Sequence, residues 1–334
     1  TDEHLADELA ILTKATEMIR EKRVVQSFRN AYVEISDVTK AYILAVGANR
    51  SDATTALTNE ATALKAELDT ILATADHQDL ENDIIDLFRA KLGEVDNRMK
   101  IAAKYIIVKG EDGKYTLTIY AAGVYDALLI TDPEGITPAS ADIVKVIVDA
   151  LVGDGEVTLK NFDAQSIEVL GGGAHSVILT DCKFATLTIN KTVAGEIVTV
   201  KLNGATDVTD IIANSEATVI VEDDAKVGKL AAKEIVTIEN NTETQFPATS
   251  EKGLIHDGNV DADAYVASFV LDGKTYAFAS LKDAIAKAIE LNVDTVSVVA
   301  DTTGYEQYVI TAGLKLIGVA KADGTKPIVY GNFT

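Results

Sequence analysis

No arginine occurs after Arg98. The six in the chain are Arg20, Arg23, Arg29, Arg50, Arg89 and Arg98, so residues 99–334 contain none. A body without guanidinium groups lacks the usual two-pronged clamp for phosphates and carboxylate substrates, which argues against phosphoryl chemistry. The single cysteine, Cys182, excludes an intrachain disulfide. Nothing in the sequence nominates a histidine partner that would make it a nucleophile, so Cys182 reads as a small buried side chain in the strand-like run from Val177 to Phe184. Tryptophan is absent and aromatics make up 6% of the chain, so any core is aliphatic. Long apolar runs are missing too. The stretch from Ile143 to Val152 is broken by Lys145 and Asp149, too short and too charged to span a membrane.

Positive charge is also scarce. Thirty Lys and Arg stand against 52 Asp and Glu, giving a net charge of −22. Such a surface repels nucleic acid and anionic lipid and favours solubility and divalent cations. The apolar fraction of 47% over 334 residues is enough for two or three packed domains and too high for disorder. The chain opens at Thr1 with no signal peptide, as expected of a processed mature form or of one that has lost only its initiator Met.

Residues 1–106 contain no proline and only Gly47 and Gly93, and their apolar residues recur at helical spacing. Leu5, Leu9, Leu12 and Ile19 form one stripe, Leu57, Leu64, Leu68 and Ile71 a second, and Leu80, Ile84 and Leu87 a third. All three are expected to be core, in an antiparallel hairpin or bundle broken near 46–52 and 74–77. From Tyr105 the period becomes two. Tyr105–Val108 and Tyr115–Tyr120 flank Gly110-Glu-Asp-Gly113 as a hairpin. Ala139–Leu151 is expected to form a short helix capped by Ser140.

The next hundred residues repeat. Strand-like runs begin at Val157, Val177, Val198, Val219 and Val236, at spacings of 20, 21, 21 and 17. A second series interleaves them at Ile167, Leu187 and Val208. Two strand series in step at about twenty residues indicate a β-solenoid, with a β-sandwich as the competing arrangement. The inward ladder would be Val157/Leu159, Val177/Leu179, Val198/Val200, Val219/Val221 and Val236/Ile238, with Asn161, Asp181, Asp223 and Asn240 at corners. A polar linker is expected from Asn240 to Gly253, then a hairpin across Asp272-Gly273, a helix from Ser280 to Leu291, and strands at Thr295–Val299, Tyr308–Ile310 and Leu314–Val319.

This last segment carries a resemblance. Gly273-Lys-Thr-Tyr-Ala-Phe-Ala-Ser-Leu-Lys-Asp-Ala-Ile285, Asp294-Thr-Val-Ser-Val-Val-Ala-Asp301, Tyr308-Val-Ile and Gly313-Leu-Lys-Leu-Ile-Gly318 resemble the opening of right-handed parallel β-helix domains in bacterial surface proteins, the pectin-lyase-like fold. In that family an amphipathic helix caps the first coil, and the fold hosts lyases, hydrolases, adhesins and phage spikes alike. The likeness covers about 268–319. Polygalacturonase-type members use clustered Asp with a nearby His. Here His175 lies 48 residues from Asp223-Asp224. Pectate lyases use a basic proton-abstracting residue and Ca²⁺ held by Asp. The absence of arginine from the body argues against the first of these.

Two further motifs stand out. Gly171-Gly-Gly173 precedes a strand rather than a helix, so it reads as a turn and not a phosphate loop. Asp257, Asn259, Asp261 and Asp263 alternate oxygen ligands as in a Ca²⁺ loop, but the sixth-position Gly and twelfth-position Glu are missing. They are the one candidate metal site, with Ca²⁺ as the candidate ion and a solvated acidic turn as the alternative.

The expectation is therefore a multidomain α + β chain. A helical bundle or hairpin spans 1–106, a small α/β connector 107–152, a β-solenoid-like domain 153–246 and a β-helix-cap-like segment 254–334. No catalytic or cofactor-binding residues are expected. The chain is expected to be a structural subunit of an extracellular assembly, such as a surface layer, filament or appendage, whose partners are copies of itself, with a host or cell-surface component as a second class. Nucleic acid and membrane insertion are not expected. The alternatives are a bacteriophage head or tail fibre component in a virion, and a glycan-binding adhesin.

Overall fold

The computed structural model describes residues 2–47, 49–74, 81–262, 265–311 and 313–334; at 2–5, 20–21, 24–25, 74, 81–85 and 87–89 only the backbone is described. The chain forms two compact units, 1–107 with 131–136, and 108–130 with 137–334.

The first unit is a three-helix bundle of α1 (Asp2–Val46), α2 (Ser51–Thr74) and α3 (Glu81–Ala103). Gly47, at φ +78°, ends α1 in the left-handed conformation that glycine adopts without a Cβ penalty. The bundle core joins Ala31, Ile35 and Val46 to Leu57, Leu64, Leu68, Val95 and Met99. The second stripe is therefore core, as expected. The first is not: Leu9, Leu12 and Ile19 are 67%, 64% and 60% exposed. Among the described side chains of α1 the packed face begins at Phe28. The third stripe and the break at 75–77 fall outside the described side chains.

Polar groups tie the bundle from outside. Arg98 bridges Glu60 and, at 2.9 Å, Glu67, which also meets Lys91 at 3.0 Å. Arg50 reaches from the α1–α2 connection to the end of α3, donating to the carbonyls of Ala103 at 2.7 Å and Tyr105 at 3.0 Å, with its guanidinium 3.7 Å above the Tyr105 ring.

The second unit is a parallel β-solenoid. Its first strands are β1 (Tyr105–Lys109, of which only the last two residues belong to this unit), β2 (Tyr115–Ile119), β3 (Gly123–Asp126) and β4 (Ile143–Val148). The coils continue with β5 (Val157–Lys160), β6 (Asp163–Val169), β7 (Ile178–Thr180), β8 (Lys183–Ile189), β9 (Val198–Asn203) and β10 (Asp207–Ala213). Then come β11 (Ala217–Val221), β12 (Lys226–Ala232), β13 (Val236–Asn240), β14 (Phe246–Ser250), β15 (Gly253–Gly258) and β16 (Val260–Ala262).

Even-numbered strands from β2 to β16 stack in parallel in one sheet, and odd-numbered strands from β3 to β15 in the other. Seven spacings of about 4.8 Å make the even sheet about 34 Å tall.

Period-two burial drives this construction. On one face Leu117, Val146, Ile167, Leu187, Ile211 and Leu230 form a continuous inward ladder, each on its counterpart one coil away. On the other, Tyr125, Leu159, Leu179, Leu202 and Val221 do the same. All are buried. This corrects three expectations. The 107–152 connector contributes strands to the solenoid. Residues 143–148 form a strand, leaving Ser140–Asp142 as a single 3₁₀ turn, because Val146 and Val148 complete ladders that a helix would break. The 240–253 linker contains β14, whose Phe246 and Ala248 point inward.

The parallel stack ends in an antiparallel hairpin of β17 (Ala267–Leu271) and β18 (Lys274–Phe278), with β18 against β15. Asp272 and Gly273 both take positive φ at its turn, as a two-residue hairpin needs. Helix α4 (Leu281–Glu290) follows, with Ser280 Oγ accepting from the Asp283 amide at 3.3 Å. It buries Leu281, Ala284, Ile285 and Ala288 against Phe269, Phe278, Val296 and Tyr308. Two parallel pairs close the unit. One joins β19 (Thr295–Val298) to β21 (Lys315–Gly318), the other β20 (Glu306–Tyr308) to β22 (Gly331–Phe333).

Candidate functional site

The chemistry-bearing residues of the solenoid are dispersed. Two-residue corners join β5 to β6 and β7 to β8, and eight-residue loops return from β6 to β7 and from β8 to β9. His175 lies exposed in the long loop between β6 and β7, whereas Asp223 and Asp224 lie exposed at the tight corner between β11 and β12. The coil separates them.

Asp223 has a structural task. It adopts φ +56°, and its carboxylate accepts from the Gly204 amide one coil away at 3.1 Å. Asn161 and Asp181 occupy the same corner at φ +59° and +53°; Asp181 accepts from the Ala205 amide at 2.9 Å, and Asn161 donates to Asp126 at 3.0 Å. Short polar side chains tolerate this backbone and bond across coils. Gly204, at φ +59°, fills the fourth place, where an added Cβ would collide with Asp181. Asn240, expected at a corner, is an inward amide instead. It donates to the carbonyls of Thr244 and Asn259 at 2.9 and 2.7 Å and accepts from Thr242.

Behind the corner residues runs a buried column of Phe162, Cys182, Thr206 and Ala225. The Cys182 thiol donates to the carbonyls of Thr180 and Leu159 at 3.3 and 3.4 Å, and burial pushes its pKa up to about 11. A thiol in this state is a packing group. Alkylation in native buffer is expected to be slower by about a thousandfold or more than in guanidinium, because reaction waits on local opening. Timed labelling with intact-mass readout checks this, and rapid native labelling would contradict the closed corner.

The long loops hold an enclosed charge. Lys191, its side chain only 6% exposed, donates to Asp154 at 2.6 Å, the Gly172 carbonyl at 2.6 Å and the Glu196 carbonyl at 2.7 Å. The Lys191 ammonium, together with the Glu196 amide, holds the Asp154 carboxyl below its ordinary pKa. Gly171 and Gly173 let this loop lie on the coil beneath, since a Cβ at either would stand 2.5–2.6 Å from the Asp149 or Asp154 carbonyl oxygen. The glycine run is thus a turn that packs coil on coil. Nothing in the sequence pattern marked Lys191, whose partners come from two coils.

The Ca²⁺ candidates do not converge as a ligand set among the described residues. Asp257 is the penultimate residue of β15 and accepts from its neighbour Gly258; Asn259 turns its amide to the Thr242 carbonyl at 2.9 Å; Asp261 is exposed on β16; Asp263 lies outside the described residues. No group of three His, Cys, Asp or Glu side chains is gathered for a metal among the described residues. His256, which precedes Asp257, lies in register with Ile238, and desolvation lowers its pKa.

Surface grooves among the described residues include two. One, of about 470 Å³, follows the tight corner past Asp207, Asp223, Asp224, Lys226 and Glu243. The other, of about 350 Å³ and largely apolar, lies between α4 and β20, lined by Ile285, Ile289, Tyr308 and Val309. At the terminal coil, Phe333 stacks on buried Tyr308 with centroids 5.2 Å apart and is itself 50% exposed.

What the fold defines is a class, that of parallel β-solenoid proteins with a helical bundle unit. No family model matches the chain, no curated protein matches it, and no solved structure matches it.

Proposed function

We propose that this chain is a non-catalytic structural subunit of an extracellular or cell-surface assembly, such as a surface layer, filament or appendage. The observation that carries this reading is how the solenoid uses its outward faces. They are laced coil to coil by ion pairs, Lys145–Glu168 at 3.1 Å, Lys201–Glu222 at 2.7 Å and Lys229–Asp210 at 3.3 Å. Its tight-corner polar groups are likewise spent on neighbouring coils. Such a body is built for extension and stiffness. The terminal coil adds β21 at the edge of its sheet and exposed Ile328, Tyr330 and Phe333, a surface suited to strand addition. The acidic composition and the resemblance of 268–319 to β-helix surface proteins support the same reading. A virion fibre is the second reading, favoured by the 45-residue α1 with its exposed apolar stripe.

Negative-stain microscopy of the purified chain, with Ca²⁺ and again with EDTA, tests the proposal. Ordered filaments or sheets are expected. Loss of order in EDTA would make the acidic turns metal-bridged contacts. Discrete monomers under both conditions would overturn self-assembly.

A further inference from the structure

Helix α1 outruns its bundle partners. At about 1.5 Å per residue it spans about 67 Å, against about 36 Å for α2. Every described side chain from Ala6 to Gln26 is exposed, and among the described side chains the bundle core takes its first α1 contact at Phe28. The exposed and the packed apolar residues of α1 also lie on different faces. With Leu9 at heptad position a, Leu12, Ile19 and Val33 fall at d and Leu44 at a, and all five are exposed. The packed residues Phe28, Ala31, Ile35 and Tyr42 fall at f and b, on the opposite side. The exposed stripe is therefore not a continuation of the bundle core.

We propose that the first half of α1 is a self-association surface that pairs antiparallel with the same segment of a second copy of the chain. This rests on the self-assembly reading above and names one of its contacts. Charge complementarity selects both the occupant and the direction. In an antiparallel register centred on Lys14, Leu9 meets Ile19 of the second copy and Leu12 meets Thr16. The flanking g positions bring Glu8 against Lys22, and two-fold symmetry makes this contact twice. A parallel pair would stack Arg23 on Arg23 at an a position and set Glu8 against Thr13, which gives a like-charge layer and no compensating pair. Glu8 and Lys22 are both exposed on the free helix. The pairing would withdraw the Leu9, Leu12 and Ile19 stripe from water.

Sedimentation equilibrium of the full chain and of Glu8→Lys, Lys22→Glu and the double variant tests this, with circular dichroism to confirm equal helicity. A dimer is expected for the parent chain. Each single reversal should weaken it about tenfold, and the double reversal should restore it. A parent chain monomeric at 100 μM (roughly the concentration where a contact of this size must show), or single reversals without effect, would overturn the interface. Unchanged filaments from the single variants by microscopy would overturn this interface alone and leave the structural role standing, whereas a parent chain that neither dimerises nor assembles would remove both.

Discussion

Ile211→Ala is expected to destabilise the solenoid by about 2–5 kcal/mol, while Ile212→Ala, one residue along the same strand, is expected to cost under about 1 kcal/mol. The two isoleucines have the same chemistry and nearly the same backbone. Ile211 is 1% exposed and lies in register between Leu187 and Leu230. Ile212 is 38% exposed and lies between Thr188 and Ala231 on the outer face. Truncating the inner residue leaves a void bounded by two rungs that cannot collapse without breaking their own ladders, so the cost combines lost burial with the cavity. Guanidinium unfolding followed by far-ultraviolet dichroism measures both variants. Equal effects would mean that the inward and outward faces of β10 have been assigned wrongly. Because each coil touches only its neighbours, the loss is expected to broaden the transition as well as shift it.

The parity of that ladder is legible in the sequence; its register is not. Val157, Leu159, Val177, Leu179, Val198, Val200, Val219, Val221, Val236 and Ile238 are all buried, as alternation requires. Yet Val177 lies beside Val200 rather than Val198, because the ladder partners Leu179 and Leu202 are 23 residues apart where the run starts suggest 21, and the slip of two preserves facing while changing neighbours. In the other sheet Ile211, not Val208, takes the place of Leu187, and Val208 stands against Phe184. Corner residues were readable where an Asn or Asp took the left-handed conformation, at positions 161, 181 and 223, and invisible at Gly204, where a glycine does the same work. The helix expected at 139–151 failed because local capping by Ser140 is weaker than a place in two ladders. The stripe of α1 shows the opposite limit. Spacing identifies an apolar face but not what covers it, and Leu9 and Ile35 look alike until the bundle selects one side of the helix.

Arg50→Ala is expected to destabilise the helical unit by about 3 kcal/mol or more. No sequence pattern singles out this residue, which follows Asn49 in a short connection. Its side chain is buried, and its guanidinium meets the carbonyl of Ala103, in the last turn of α3 where acceptors lack helical partners, and that of Tyr105 at the start of β1. A cation there also opposes the negative end of the helix dipole, and the Tyr105 ring beneath it supplies a cation–π contact. Alanine removes all of these together and leaves the Ala103 and Tyr105 carbonyls to find water in a closed space. Arg50→Lys keeps the charge but cannot serve two carbonyls in the plane of one fork, so it is expected to recover less than half of the loss. Thermal unfolding monitored by helical dichroism separates the three chains. A variant within about 0.5 kcal/mol of the parent would show that α3 is held by its apolar face alone, with Leu57, Leu64 and Met99 sufficient to fix the end of the bundle.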